Sequence, residues 1–410
     1  MDNLYVILNL FRPLFNSCNY VLFVAFILGL MFYPGRKNVS GICLVTDPSF
    51  YWSLIKFLSR AKWNQDSVAL TLLKILQSVF KNWVYVYDET HAIKTGKSQF
   101  GLHFFRNHKY QKRNRNQSKY HWGNQFAALG LLCLNIGQAV LFPIWVKMLI
   151  PTDTALNSLA VLETILSNIP AGLVIFDRGF NNRKVFKILL TYGHHLLCRA
   201  KSNAVFYYPL QPQQKPKRGR PRKYGNRVDI SAMPFTQTIV NGHTAEVANA
   251  IVYTKMCPEK VRLVVRRTMS KKTNTYRYFM AYTTDLSLPV ETILHYYRLR
   301  WELETAFRDA KQNFGFDDYQ VKSETSIGRF VQLSFVAVSI MQLLFCQSMV
   351  NVSVDEICKT LGIHWYRPSK LTRGLMQLHL RYLSFHQLFS VSKTMLLNSQ
   401  ENEQALKKLA

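Results

Sequence analysis

Hydrophobic and polar positions change rhythm near residue 81. Before it, apolar residues recur at helical spacing. Residues 20–33 (YVLFVAFILGLMFY) are apolar throughout, yet too short for a bilayer span of roughly 20 residues, and read as a buried helix. No basic stretch precedes this run and no small-residue cleavage site follows it, so it does not read as a signal peptide. Pro34, Gly35, Arg36, Lys37 and Asn38 form a loop after it. Residues 50–60, capped by Asp47 or Ser49, and 67–80, ending at Lys81, predict two further helices.

After residue 81 the pattern becomes short apolar runs bounded by polar turns. It predicts strands at 83–87, 124–134, 139–149, 172–176 and 195–200, with helices at 155–168 and 181–192. Residues 126–150 are interrupted by Asn135, Gly137, Gln138 and Pro143, which makes them two buried strands joined by a turn and not a membrane span. Residues 235–240, 244–253, 261–268 and 275–283 alternate or are β-branched and predict four more strands. Residues 297–311 lack Gly and Pro and predict a helix, 330–345 an apolar helix, 353–390 a helical tail and 391–410 a frayed polar end.

The 297–311 helix carries the chemistry. With about 100° per residue, Arg300 falls at about −60° from Tyr297, Glu304 at about −20° and Lys311 at about −40°. One stripe therefore holds a phenol, a guanidinium, a carboxylate and an ammonium, while Glu302 and Asp309 face elsewhere. Such a stripe suits a site that holds a metal and grips phosphate, or else a solvated charged face with i,i+4 pairs.

Charge narrows the partner. Lys and Arg number 52 against 23 Asp and Glu, a formal net charge of +29, so a polyanion is expected, nucleic acid first. The seven cysteines (Cys18, Cys43, Cys133, Cys198, Cys257, Cys346 and Cys358) contain no Cys-x2-Cys pair and indicate neither zinc nor a disulfide framework. Two segments concentrate the basic charge. Residues 215–223 place Arg218, Arg220 and Arg222 around Gly-Arg-Pro, which suits either an AT hook in a narrow minor groove or a general phosphate clamp. Residues 106–119 form a basic run with Tyr110 interleaved, suited first to non-specific phosphate contact and otherwise to tracking a backbone or stacking a base.

The spacing Tyr297-x2-Arg300-x3-Glu304-x6-Lys311 resembles the YREK signature of bacterial insertion-sequence transposases of the DDE type, in the insertion-sequence-four-like superfamily. Two other segments are similar to motifs of that family: Val84-Tyr85-Val86-Tyr87-Asp88-Glu89-Thr90, an apolar run ending in Asp-x-Thr, and Gly172-Leu173-Val174-Ile175-Phe176-Asp177-Arg178-Gly179-Phe180. The resemblance implies an α/β, ribonuclease-H-like mixed sheet flanked by helices and interrupted by a β-rich insertion. The expected division is a helical N-terminal region at 1–80, serving as a DNA-binding module or a packing cap, and a catalytic domain at 81–200 and 287–345. The insertion occupies 201–286 and a helical C-terminal region 346–410.

Its chemistry would be metal-dependent strand cleavage and transfer at the terminal inverted repeats. Asp88, Asp177 and Glu304 would hold two Mg2+ ions, with Mn2+ able to substitute and Asp88 bridging both. Asp88 and Asp177 are expected at the ends of adjacent strands. Tyr297, Arg300 and Lys311 would contact end phosphates beside the cut, with Lys94, Lys97 and Arg178 solvated or adding to them. Glu89 is an alternative acid, but strand alternation turns it to the opposite face. None of the seven tryptophans lies in 201–286, so any flipped base would need Tyr, Phe or His there. The implied partners are double-stranded DNA, both transposon ends and target, and further copies of the chain in a homodimer or higher assembly. No membrane is expected, and the implied location is the bacterial cytoplasm, at the nucleoid. A non-catalytic, domesticated DNA-binding protein is the alternative.

Overall fold

A computed structural model of the chain describes residues 2–107, 110–111, 118–134, 139–152, 155–210, 222–240, 242–270, 273–351, 353–365 and 372–387. The chain begins with helices α1 (Asp2–Asn9), α2 (Ser17–Phe32), α3 (Val39–Val45), α4 (Tyr51–Ser59) and α5 (Gln65–Val79). Asparagines start three of them: Asn16 accepts from the Asn19 N–H, Asn38 from Gly41, and Asn64 from Asp66 and Ser67. Asp47 caps a 3-10 turn, Pro48–Phe50, that leads into α4, and α5 begins before the expected Ser67 because Asn64 supplies its cap.

The strands follow as β1 (Trp83–Ile93), β2 (His103–Arg106), β3 (Tyr120–Cys133) and β4 (Val140–Leu149), then α6 (Ser158–Ser167), β5 (Leu173–Phe176), α7 (Arg183–Thr191) and β6 (His195–Arg199). Next come β7 (Phe206–Tyr207), β8 (Thr236–Val240), β9 (His243–Thr254), β10 (Cys257–Met269) and β11 (Tyr276–Thr283). Helices α8 (Val290–Leu299), α9 (Trp301–Asn313), α10 (Glu324–Asn351), α11 (Val354–Thr360) and α12 (Arg373–Gln387) complete the elements of the described residues. The open sheet of parallel and antiparallel strands flanked by helices is consistent with the ribonuclease-H-like fold.

Two compact units divide the chain. The first comprises Met1–Trp83, Glu89–Asn157 and Leu303–Ala410, the second Val84–Asp88 and Ser158–Glu302. In the first unit, β3 pairs antiparallel with β2 and β4, and α10 packs on β4, α2, α4 and α5. Helix α10 is long and apolar enough to cross a membrane, but its apolar residues from Ile327 to Cys346 are buried inside the protein. Its polar side chains are used internally. Gln332 accepts from the Val146 N–H and donates to the Ile144 carbonyl, and Ser339 donates to the Pro143 carbonyl. Arg329, 8% exposed, donates to the carbonyls of Phe57 and Leu58 in the last turn of α4 and of Ala61 and Trp63 in the loop after it, and stacks over Trp63.

The second unit is a sheet in the order β1-β5-β6-β11-β10-β9-β7, with β8 also on β9. The β1–β5 and β5–β6 pairs are parallel, and the rest are antiparallel. Val84–Tyr87 and Val174–Phe176 are continuously buried, as expected for parallel strands covered on both faces. Helix α7 packs on β6 and β10, and α8 packs on β6, β8, β10 and β11. The strands predicted within 235–283 all form, and β11 joins them to β6 in register Ala281↔Arg199, Tyr282↔Cys198, Thr283↔Leu197.

Two predicted elements are corrected. Strand β1 does not end near Asp88 but continues to Ile93, because Thr90 and Ala92 keep an alternating buried face. The 297–311 helix is two helices that meet at Arg300. There the backbone stays helical (φ −50°, ψ −34°), but the Arg300 N–H bonds to the Tyr297 carbonyl in a tighter i−3 turn.

Candidate active site

In the second unit the register Tyr85↔Val174, Val86↔Ile175, Tyr87↔Phe176 carries β1 and β5 side by side toward Asp88 and Asp177. Asp177 follows the last residue of β5, whereas Asp88 lies mid-strand. Between the two carboxylates sits Arg300. Its Nη1 lies 2.9 Å from Asp88 Oδ2 and its Nη2 3.7 Å from Asp177 Oδ1. The Tyr297 hydroxyl donates to Asp177 Oδ1 at 3.1 Å. Phe279 of β11 packs on the Tyr297 ring at 5.3 Å, and the Arg199 and Arg266 guanidiniums lie over Phe279.

Electrostatics follow from this geometry. Burial pushes the Asp177 carboxyl up, but the Arg178 N–H, the Arg300 charge, the Tyr297 hydroxyl and the Gly179 N–H together hold it below its ordinary value. The Tyr297 phenol is pushed up by burial and then by the Asp177 charge, so it is a proton donor to the carboxylate and not a base. Cys198, whose Sγ lies 3.5 Å from the Asp177 carbonyl, is pushed up by burial and stays a thiol.

Glu304 and Lys311 stand in the part of α9 that belongs to the first unit, where the Lys311 ammonium donates to the His91 carbonyl at 2.5 Å. Among the described residues, no group of three or more His, Cys, Asp or Glu is placed to hold a metal ion. Arg222 is exposed, and Arg218 and Arg220 fall outside the described residues. Most of the 106–119 run and all of 391–410 also fall outside them.

Lys94 is neither solvated nor turned to a phosphate. It donates to the Asp317 and Tyr319 carbonyls and lies 3.3 Å over the Tyr319 ring, and burial lowers its pKa to about 8. Sequence reasoning missed Phe279, which packs on Tyr297, and Arg199, which lies over Phe279, because neither carries a motif. It also missed the two N–H groups on Asp177, for which the tripeptide Asp177-Arg178-Gly179 after a buried strand was the available signal.

Residues 146–340 match the family described as transposase DDE domain, and residues 11–158 match the family described as DDE superfamily endonuclease. The two matches support a DDE-type transposase. Such enzymes act on DNA and typically use divalent metals. No curated protein matches the chain. The donor chemistry of the pair suits a divalent cation: Asp88 and Asp177 offer hard carboxylate oxygens already gathered around one positive charge, and the neighbouring soft donor, Cys198, keeps its proton.

Proposed function

We propose that the chain is a cut-and-paste transposase of the YREK group. It binds the terminal inverted repeats of its own mobile element at the bacterial nucleoid and, as a homodimer or higher assembly, cleaves and joins DNA strands. Asp88, Asp177 and Glu304 are the carboxylates that would hold Mg2+. The observation that carries this reading is the convergence of Asp88 and Asp177, from separate strands, on a guanidinium belonging to the helix signature.

Divalent ions, when bound, supply Lewis acidity at the scissile phosphate and a nucleophilic water or 3′-hydroxyl at neutral pH. The chain's own residues prepare for that charge. Arg178 and Gly179 N–H groups keep Asp177 anionic, and Tyr297 orients it by donating a proton it does not release. Arg300 offsets the repulsion of two adjacent carboxylates while they wait. Tyr297, Arg300 and Lys311 hold phosphates beside the cut and position the scissile group.

The test is cleavage of DNA carrying the sequences that flank this gene, in Mg2+ or Mn2+. Nicking at the repeat end that Asp88→Asn and Asp177→Asn each abolish, with end binding retained, is the expected result. Binding with no cleavage by the unmodified chain would make it a DNA-binding protein without catalysis.

A further inference from the structure

Strands β2 and β3 form a hairpin in the first unit whose two faces differ. Cross-strand partners share a face. The register puts His103↔Gly123 and Phe105↔His121 on one side and Phe104↔Trp122 and Arg106↔Tyr120 on the other. The first face is packed: Phe105 is buried among the rings of His91, His103 and His121.

The second face is open. Phe104 is 71% exposed and Tyr120 49%. The Phe104 and Trp122 rings lie 4.7 Å apart, and the Trp122 indole N–H donates to the Gly96 carbonyl at 3.0 Å, which fixes the ring. Cations border the aromatics: Arg106 is exposed beside Tyr120, and Lys119 Nζ lies 5.5 Å over the Tyr120 ring. Exposed Phe104 and Tyr120 on a hairpin whose strand β2 pairs with β3 alone among the described strands cost solubility and invite aggregation, so the face calls for an occupant.

Charge selects the occupant. Of residues 106–119, which join the two strands in sequence, six are Lys or Arg and none is acidic, so the connection between them is polycationic. Every base has a π-face, and aromatics interleaved with cations bind unpaired strands by stacking and phosphate contact. Spacing adds a constraint. Tyr120 and Trp122 are about 7 Å apart along the strand, about twice the base step of a duplex strand, so only a strand whose bases are unstacked can use both rings.

We propose that Phe104, Trp122 and Tyr120 form a stacking platform for unpaired DNA, with Arg106 and Lys119 on its phosphates. The platform rests on the transposase reading in taking DNA as the polymer, and its place in that reaction is to hold a strand separated from its complement.

The test uses the full chain and three fluorescent probes at fixed salt: a thymidine oligomer, a blunt duplex and a duplex with one unpaired end. Phe104→Ala with Tyr120→Ala should weaken oligomer and unpaired-end binding about five-fold to a hundred-fold and leave blunt-duplex binding within about two-fold, with a melting temperature near wild type. Arg106→Gln with Lys119→Gln should reduce the salt slope for the oligomer by about 1–2 units. Equal losses on duplex and oligomer would overturn the platform, as would unchanged oligomer affinity or a change in oligomeric state with DNA binding intact. Failure of the platform is separable from failure of the transposase reading: the wild-type chain would then still cut its ends. A wild-type chain that binds none of the three probes overturns both.

Discussion

Arg300 is the residue on which the site turns. Its side chain is 11% exposed and Asp88's is 18%, so the pair is shielded enough to matter for folding as well as chemistry. Arg300→Gln leaves two carboxylates facing each other and should lower stability by roughly 2 kcal/mol. Millimolar Mg2+ should restore part of that loss, and a denaturant titration with and without the ion reads it. Wild-type stability with no response to Mg2+ would show that the cation contributes nothing there. Asp177 gives a pH dependence whose sign is fixed by its depressed folded value. Its stabilising contribution is complete above the unfolded carboxyl value of about 3.9 and is lost as pH falls through the lower folded value. Asp177→Asn should therefore flatten the acid limb of the melting-temperature profile below about pH 4. Glu304→Gln should reduce Mg2+-dependent cleavage by orders of magnitude and spare DNA binding, because an amide is a poor ligand for a hard cation. Glu302→Gln should retain most activity, and comparable losses from both would sink the choice of Glu304.

At the scale of elements, what the sequence disclosed followed the length and regularity of each pattern. The alternation across 261–268 and 275–283 marked β10 and β11, and the unbroken apolar run at 172–176 marked β5, because burial leaves a periodic trace. Helix α3, seven residues starting Val-Ser-Gly, and β2, four residues, are too short to show a period, and they escaped. The break at Arg300 escaped for a different reason: it replaces an i−4 bond by an i−3 bond without any Gly or Pro to announce it. Motif spacing named Asp88, Asp177, Tyr297 and Arg300, but that Arg300 bridges the two acids is a long-range pairing that no local pattern encodes. Helix α10 shows a similar hidden function. Its Arg329 bonds four carbonyls in the last turn of α4 and the loop after it, so Arg329→Ala should cost roughly 1–3 kcal/mol and lower the melting temperature without any direct effect on DNA affinity. Loss of DNA affinity in the folded variant with stability unchanged would refute this structural role.

Across the whole molecule, the +29 charge predicts binding that salt controls. Replacing Arg218, Arg220 and Arg222 together should shrink the slope of log K against log salt by roughly 2–3 units. An AT hook requires a larger loss on A·T-rich than on G·C-rich duplexes, and equal losses would leave only a phosphate clamp. The two compact units are joined without linkers at the residues that matter most: the chain passes from one to the other inside β1, between Asp88 and Glu89, and inside α9, between Glu302 and Leu303. The second unit therefore borrows its edge strand from a segment seventy residues upstream of its main body, by the gap between Asp88 and Ser158. A fragment limited to 158–302 would leave β5 with a bare edge of backbone donors and acceptors, a template for self-association. The same vacancy makes it a receptor: a synthetic peptide spanning 83–93 should dock in trans as a donor strand, convert aggregates into soluble complex, and return Asp88 to the side of Asp177.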